Sequence, residues 1–194
     1  ADPSNSGAQF TGSYNGGGYT ISNLYIARSS EANVGLFGHI GIGAKISNLH
    51  LENADVTGQR GTGSLVGRVT GDESTVIELC SATGSVEGTG ATGGLVGSNN
   101  SFQTNPGNAD GFRPQIRRSY ANVTVQNRTE SGQSNDKIGG LAGCNQKGVI
   151  SNSYARGSVT VVDGSERVGG LAGCILLRGR IINSYSTGQV SVSS

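Results

Sequence analysis

The segments KISNLHL (45–51), TVIELCSA (75–82), QIRRSYANVTV (115–125), VISNSYARGSVTV (149–161) and RIINSYSTGQVSV (180–192) alternate apolar or small residues with polar ones. A period of two, rich in Val, Ile and Thr, predicts short strands that bury one face. Gly and Asn punctuate these strands at the same offsets each time, so the chain reads as one unit written several times.

The unit can be counted. The word G/S-L-x-G starts at Gly35, Ser64, Gly94, Gly140 and Gly170, with gaps of 29, 30, 46 and 30 residues. A fixed period near 30 marks a solenoid rather than a globule. The long gap holds 12 extra residues before Tyr120 and 4 after it. The predicted fold is all-β: a parallel β-solenoid of the right-handed β-helix type, with coils of about 30 residues and one expanded coil. Equivalent positions then stack about 4.8 Å apart. Leu36, Leu65, Leu95, Leu141 and Leu171 are expected to form one internal ladder, and Ile46, Ile77, Ile116, Ile150 and Ile182 another. The glycines flanking the leucine either supply positive φ at a corner or let backbones approach closely; the corner is the favoured expectation. Residues 1–9 read as an N-terminal extension or cloning remnant, and 10–194 as a single solenoid domain. The segment FTGSYNGGGYTISNLYI (10–26) keeps the Ile-Ser-Asn-Leu word without G-L-x-G and reads as a first coil or cap. The last strand is followed by no capping element, which implies a piece of a longer protein.

Composition agrees with thin stacked layers. Gly is 34 of 194 residues, Trp and Met are absent, and Phe plus Tyr total ten. The net charge of +1 points to neither nucleic acid nor an anionic membrane. No apolar run approaches a membrane span, and no signal peptide is visible.

The GLAG, GLVG and GLFG words, followed by Ser-Tyr strands, resemble the GLUG motif of bacterial surface proteins, adhesin-like repeat proteins and the non-catalytic region of IgA1-specific metalloproteases. The resemblance spans Phe10 to about Val192. It implies an extracellular or cell-surface β-solenoid module: a non-enzymatic spacer or adhesin segment that binds a host-surface protein or glycan. It supplies no ligand, because a scaffold defines the family.

The alternative is a carbohydrate-active β-helix, lyase-like or glycosidase-like, with its site completed elsewhere. Such sites need clustered carboxylates with Lys or Arg in one groove. The chain offers two histidines, His39 and His50. On a regular strand His50 and Glu52 share a face and Asp55 lies on the other. No metalloprotease, nucleophile-elbow, Cys-x-x-Cys or phosphate-loop word is present, so no catalytic residue, metal or cofactor is expected.

Cys144 and Cys174 follow GLAG in successive repeats and share a slot, which suits either a disulfide or a reduced ladder. Cys80 aligns with Ser153 and reads as a lone buried thiol. Tyr120, Tyr154 and Tyr185 recur after Ser and are expected in a row, either in the core or as an aromatic strip. Asn99, Asn122 and Asn127 begin N-glycosylation words. The expanded coil carries the loop 98–115, with Phe102, Phe112 and Arg113. These residues either pin the loop or present an aromatic and cationic patch to a ligand.

Overall fold

The computed structural model describes residues 9–101, 113–128, 137–162 and 164–193. Among them every element is a strand, and the strands stack as a parallel β-solenoid of about five turns. Each full coil contributes to four sheets in turn. Sheet 1 holds Thr62–Gly63, Ala91–Gly93, Lys137–Gly139 and Arg167–Gly169. Sheet 2 holds Phe37–Ile40, Val66–Thr70, Val96–Asn100, Ala142–Gln146 and Ala172–Leu176. Sheet 3 runs from Ser13–Asn15 through Lys45–Ser47, Val76–Glu78, Gln115–Arg117 and Val149–Ser151 to Arg180–Ile182. Sheet 4 includes the long strands His50–Thr57, Ser81–Gly88 and Tyr120–Asn127.

The core is the stack of inward positions. Leu65, Leu95 and Leu141 are fully buried, and Leu36 and Leu171 pack against them from the ends. In sheet 3 the pairing runs Ile46, Ile77, Ile116, Ile150 and then Ile181. Ile181 therefore takes the slot expected for Ile182, which pairs with Ser151 on the outer face. The 12-residue expansion leaves the register intact, because Gln115–Arg117 pairs with both Val76–Glu78 and Val149–Ser151.

The first coil is laid out differently from its wording. Ile21 pairs with Leu51 and Ser22 with Glu52, so its Ile-Ser-Asn word lies on sheet 4 rather than sheet 3. Tyr14 takes the sheet 3 slot against Ile46. Phe10 and Tyr14 sit against the Phe37 ring at 5.2 and 5.4 Å between centroids, covering the first rung of sheet 2.

The glycines of G-L-x-G act by size, not by φ. None of them is among the positive-φ residues. A Cβ on Gly97 would lie 2.5 Å from Gly61 C and Gly67 O, and one on Gly143 would lie 2.4 Å from Thr92 N. Close backbone approach between coils, not the expected corner geometry, excludes side chains there. The corner between sheets 3 and 4 is instead made by one left-handed non-Gly residue in each coil: Asn48, Leu79, Arg118, Asn152 and Asn183, with φ between 47° and 53°. Asn tolerates this region through its short polar side chain; Leu and Arg do so at a cost.

A second repeated device follows that corner. The Ser119, Ser153 and Ser184 hydroxyls each donate to the carbonyl two residues earlier, at 2.9, 2.8 and 2.8 Å. Each also accepts an N–H from the preceding coil: Cys80 to Ser119, Ser119 to Ser153 and Ser153 to Ser184, at 3.2, 3.2 and 3.1 Å. The recurring Ser-Tyr word is thus an internal hydrogen-bond ladder beside an external tyrosine. Cys80 occupies the serine slot, as the sequence suggests, and its thiol contacts Glu78 O at 3.3 Å.

Candidate functional site

The tyrosines lie outside the core. Ala121 and Ala155 point inward and are fully buried, so by alternation Tyr120 and Tyr154 point outward. Tyr120, Tyr154 and Tyr185 are in register and stack at 4.9 and 5.3 Å between centroids, with planes 3° and 11° apart. Their flat faces cover one another, so the strip shows ring edges rather than platforms for a sugar ring. Arg156 lies 4.8 Å from the Tyr154 centroid, and its hydrogen bond with Tyr185 is the main cause that raises its pKa.

The His50 region differs from a regular strand. Asn53 adopts φ 54°, and the pairing with Ser81–Gly88 skips a residue there. This bulge places Asp55 on the outer face with His50 and Glu52, correcting the expectation that Asp55 turns away. The three do not combine: His50 Nδ1 contacts Ser81 Oγ at 2.7 Å, Glu52 accepts from Ser22 at 3.2 Å, and Asp55 accepts from Ser85 at 3.1 Å. His39 Nε2 lies 2.8 Å from Thr70 Oγ1. Burial, and then the neighbouring Arg68 charge, hold the His39 pKa below its ordinary value.

Cys144 and Cys174 face each other across adjacent coils with a Cα separation of 4.7 Å, joined as a disulfide. Cys80 is a buried free thiol pushed up to about 11 by desolvation.

The three glycosylation words sit in different settings. Asn122 is exposed on Tyr120–Asn127. The Asn99 amide is buried and donates to Asn145 Oδ1 at 2.8 Å. Asn127 donates to Ser165 Oγ and accepts from Val162 N, both at 2.8 Å. Asn99 and Asn127 are both buried, at 1% and 6% exposure, whereas Asn122 is exposed.

Phe102 and Phe112 lie outside the described residues. Arg113 is described, half-buried, and its guanidinium donates to the Arg178 carbonyl two coils on. This contact ties the exit of the loop to the scaffold.

The outer face of sheet 3 holds a feature that the linear sequence hides. A groove of about 310 Å³ is lined by Lys45, Ser47, Glu73, Glu78, Gln115 and Arg117, drawn from three coils. Lys45, Val76 and Gln115 stack, as do Ser47, Glu78 and Arg117. Writing the coils beneath one another is the signal that would have found it. Glu78 is committed within it: Arg117 lies 3.0 Å from one carboxylate oxygen and Arg118 pairs with the other.

Residues 135–160 and 164–192 match the family described as the GLUG motif. The chain carries GLUG repeats. The two matched segments are the coils that contain Cys144 and Cys174. Among curated relatives, the chain is 52% identical over 89 residues to Halomucin of Haloquadratum walsbyi, covering 45% of this chain and 1% of that protein. It is 33% identical over 138 residues to an Immunoglobulin A1 protease of Streptococcus pneumoniae, covering 68% of this chain and 6% of that protein. A Streptococcus sanguinis Immunoglobulin A1 protease is 29% identical over 170 residues, covering 79% of this chain and 8% of that protein. The GLUG region here thus spans a small fraction of each relative's length. No solved structure matches the chain. Among the described residues, no helix is long and apolar enough to cross a membrane.

Proposed function

We propose that the chain is a non-enzymatic module of an extracellular or cell-surface protein, a stiff GLUG spacer that also adheres to a host protein or glycan. The observation that carries this reading is the unbroken parallel register across the expanded coil. An insertion that leaves the stack undisturbed is what a scaffold displaying a variable contact segment requires. The disulfide between adjacent coils suits an oxidising compartment. On this reading Phe102, Phe112 and Arg113 contact the ligand, since aromatic and guanidinium groups dominate interface energetics.

A screen of host proteins and glycans against the chain tests this, followed by replacing 102–112 with a short Gly turn. The expected result is an intact fold and at least tenfold weaker binding of the partner found. Unchanged binding would move the contact to the stacked faces.

The second reading, a carbohydrate-active surface, has one observation in its favour: the groove combines Glu73 and Glu78 with Lys45 and Arg117. The double ion pair on Glu78 weighs against it, because a carboxylate held between two guanidinium groups is a poor general acid. Turnover of any oligosaccharide that is abolished by Glu73→Gln would favour the enzyme.

A further inference from the structure

The corner between sheets 1 and 2 carries a second concavity, on another part of the coil from the sheet 3 groove. It is a cleft of about 270 Å³ lined by Arg60, Arg68 and Lys137, with Thr89, Ser98 and Asn100. Three cations converge here, Arg60 and Arg68 from one coil and Lys137 from two coils on, and no described residue lining the cleft is a carboxylate. This balance is unusual for a chain with a net charge of only +1. The sheet 3 groove, by contrast, matches two glutamates to one Lys and one Arg.

The cleft is built by the fold rather than left by loose side chains. Arg60 precedes the left-handed Gly61. Its stem lies over Gly90 of the next coil, where a Cβ would come within 2.9 Å of Arg60 Cγ. Glycine at that position lets the arginine cross to the neighbouring coil. Arg68 and Ser98 are paired neighbours in sheet 2. Lys137 opens the next sheet 1 strand, paired with Ala91. The wall also holds the Thr89 hydroxyl, which is 3% exposed and has no hydrogen-bond partner among the described residues. Buried hydroxyls ordinarily find a partner. A small tetrahedral or planar oxyanion would sit between Arg60 and Lys137 and offer the Thr89 hydroxyl an acceptor.

We infer that this cleft is an oxyanion site that recognises the sulfate or carboxylate groups of an acidic glycan. The inference names a ligand class for the adhesive reading above and rests on it, with the contact assigned to residues other than 102–112. Lining residues drawn from successive coils suit a polymer, because repeating charges along a glycan can follow the axis on which the coils stack. A half-buried cation such as Lys137 also attracts oxyanions more strongly than one in open water does.

Titration calorimetry on the intact chain tests the site with four probes: a sulfated oligosaccharide, a polyuronate oligosaccharide, a neutral oligosaccharide of equal length, and inorganic sulfate. The expected result is saturable binding of the sulfated probe, the polyuronate probe or both, weakened by raised salt, with no heat from the neutral one. Arg60→Ser and Lys137→Ser should each weaken binding at least tenfold without shifting the melting temperature. Lys45→Ser removes the same charge from the sheet 3 groove and should change affinity less than twofold. Equal loss in Lys45→Ser would reduce the effect to bulk charge and overturn the site. Binding of inorganic sulfate alone would overturn the glycan assignment. Binding that survives both cleft variants but vanishes on replacing 102–112 would overturn the cleft and keep the adhesive reading. No binding of any acidic probe, with a neutral or protein partner found in the screen, would do the same.

Discussion

The Arg128 guanidinium donates to the Ser29 carbonyl, 99 residues earlier in the chain, at 2.9 Å. The same group donates to Gly58 O at 2.9 Å, and its Nε lies 2.9 Å from Glu87. One side chain therefore straps four successive coils along the axis.

Arg128→Ala is expected to cost about 1–2 kcal/mol, a figure discounted because the side chain is 30% exposed. Arg128→Lys should recover less than half, since a point ammonium cannot span two carbonyls and a carboxylate. Urea denaturation of the three proteins under one buffer checks both values.

Leu141 is fully buried in the leucine ladder. Leu141→Asp places an unpaired charge there and is expected to abolish cooperative folding. A soluble variant with an unchanged thermal transition would refute the register.

Leu79 holds a left-handed conformation at φ 53° and is 43% exposed. Its equivalents Asn48 and Asn152 are the better residues for that backbone. Leu79→Asn should stabilise by about 0.5–1 kcal/mol, and Asn152→Leu should destabilise by a similar amount. A thermal melt of each variant against the parent measures the pair.

The thiols give a redox prediction. Denatured, unreduced protein should show one reactive thiol, and reduced protein three. Reduction of Cys144–Cys174 reopens a separation of 30 residues and should cost about 3.5 kcal/mol on the chain-entropy account. In native protein Cys80 should label slowly at neutral pH, because desolvation suppresses its thiolate.

Cys80 also sets a pH dependence. Its folded pKa of about 11 lies above the reference 9.0, so the unfolded chain ionises first. The thiol's contribution to stability is full below about pH 9 and is lost as pH rises through 11, about 3 kcal/mol in all. Cys80→Ser matches the slot filled by Ser119 and Ser153, so it should fold normally and lack this slope. Stability curves for both proteins between pH 8 and pH 11 provide the comparison.

The leucine ladder was legible because Leu and the Gly two residues on stand unchanged in all five G/S-L-x-G words. The first coil misled because ISNL at Ile21 and at Ile46 are 25 residues apart, whereas the coil spacing pairs Ile21 with Leu51, 30 apart. Ile182 misled because two isoleucines adjoin, and one stands in a slot filled by Ser, Glu or Arg elsewhere. The bulge at Asn53 left only a faint mark, two polar residues in succession between Leu51 and Ala54. Glycine's role could not be read from composition, since small size and unusual φ call for the same residue. The cleft and the groove were hidden for another reason: their charges come from different coils and meet only when the period is folded.

The serine ladder gives the solenoid a direction. Each coil's N–H is satisfied by a hydroxyl of the coil that follows, never by the coil before. At each interface the coil on the N-terminal side supplies the N–H and the coil on the C-terminal side supplies the acceptor lone pair. Orphaned N–H groups are the scarcer and costlier of the two in folded proteins. A coil joining on the C-terminal side therefore brings an acceptor to a waiting N–H, whereas one joining on the N-terminal side brings a donor to a hydroxyl already bonded to its own chain, so the two faces of every interface between coils are chemically unlike.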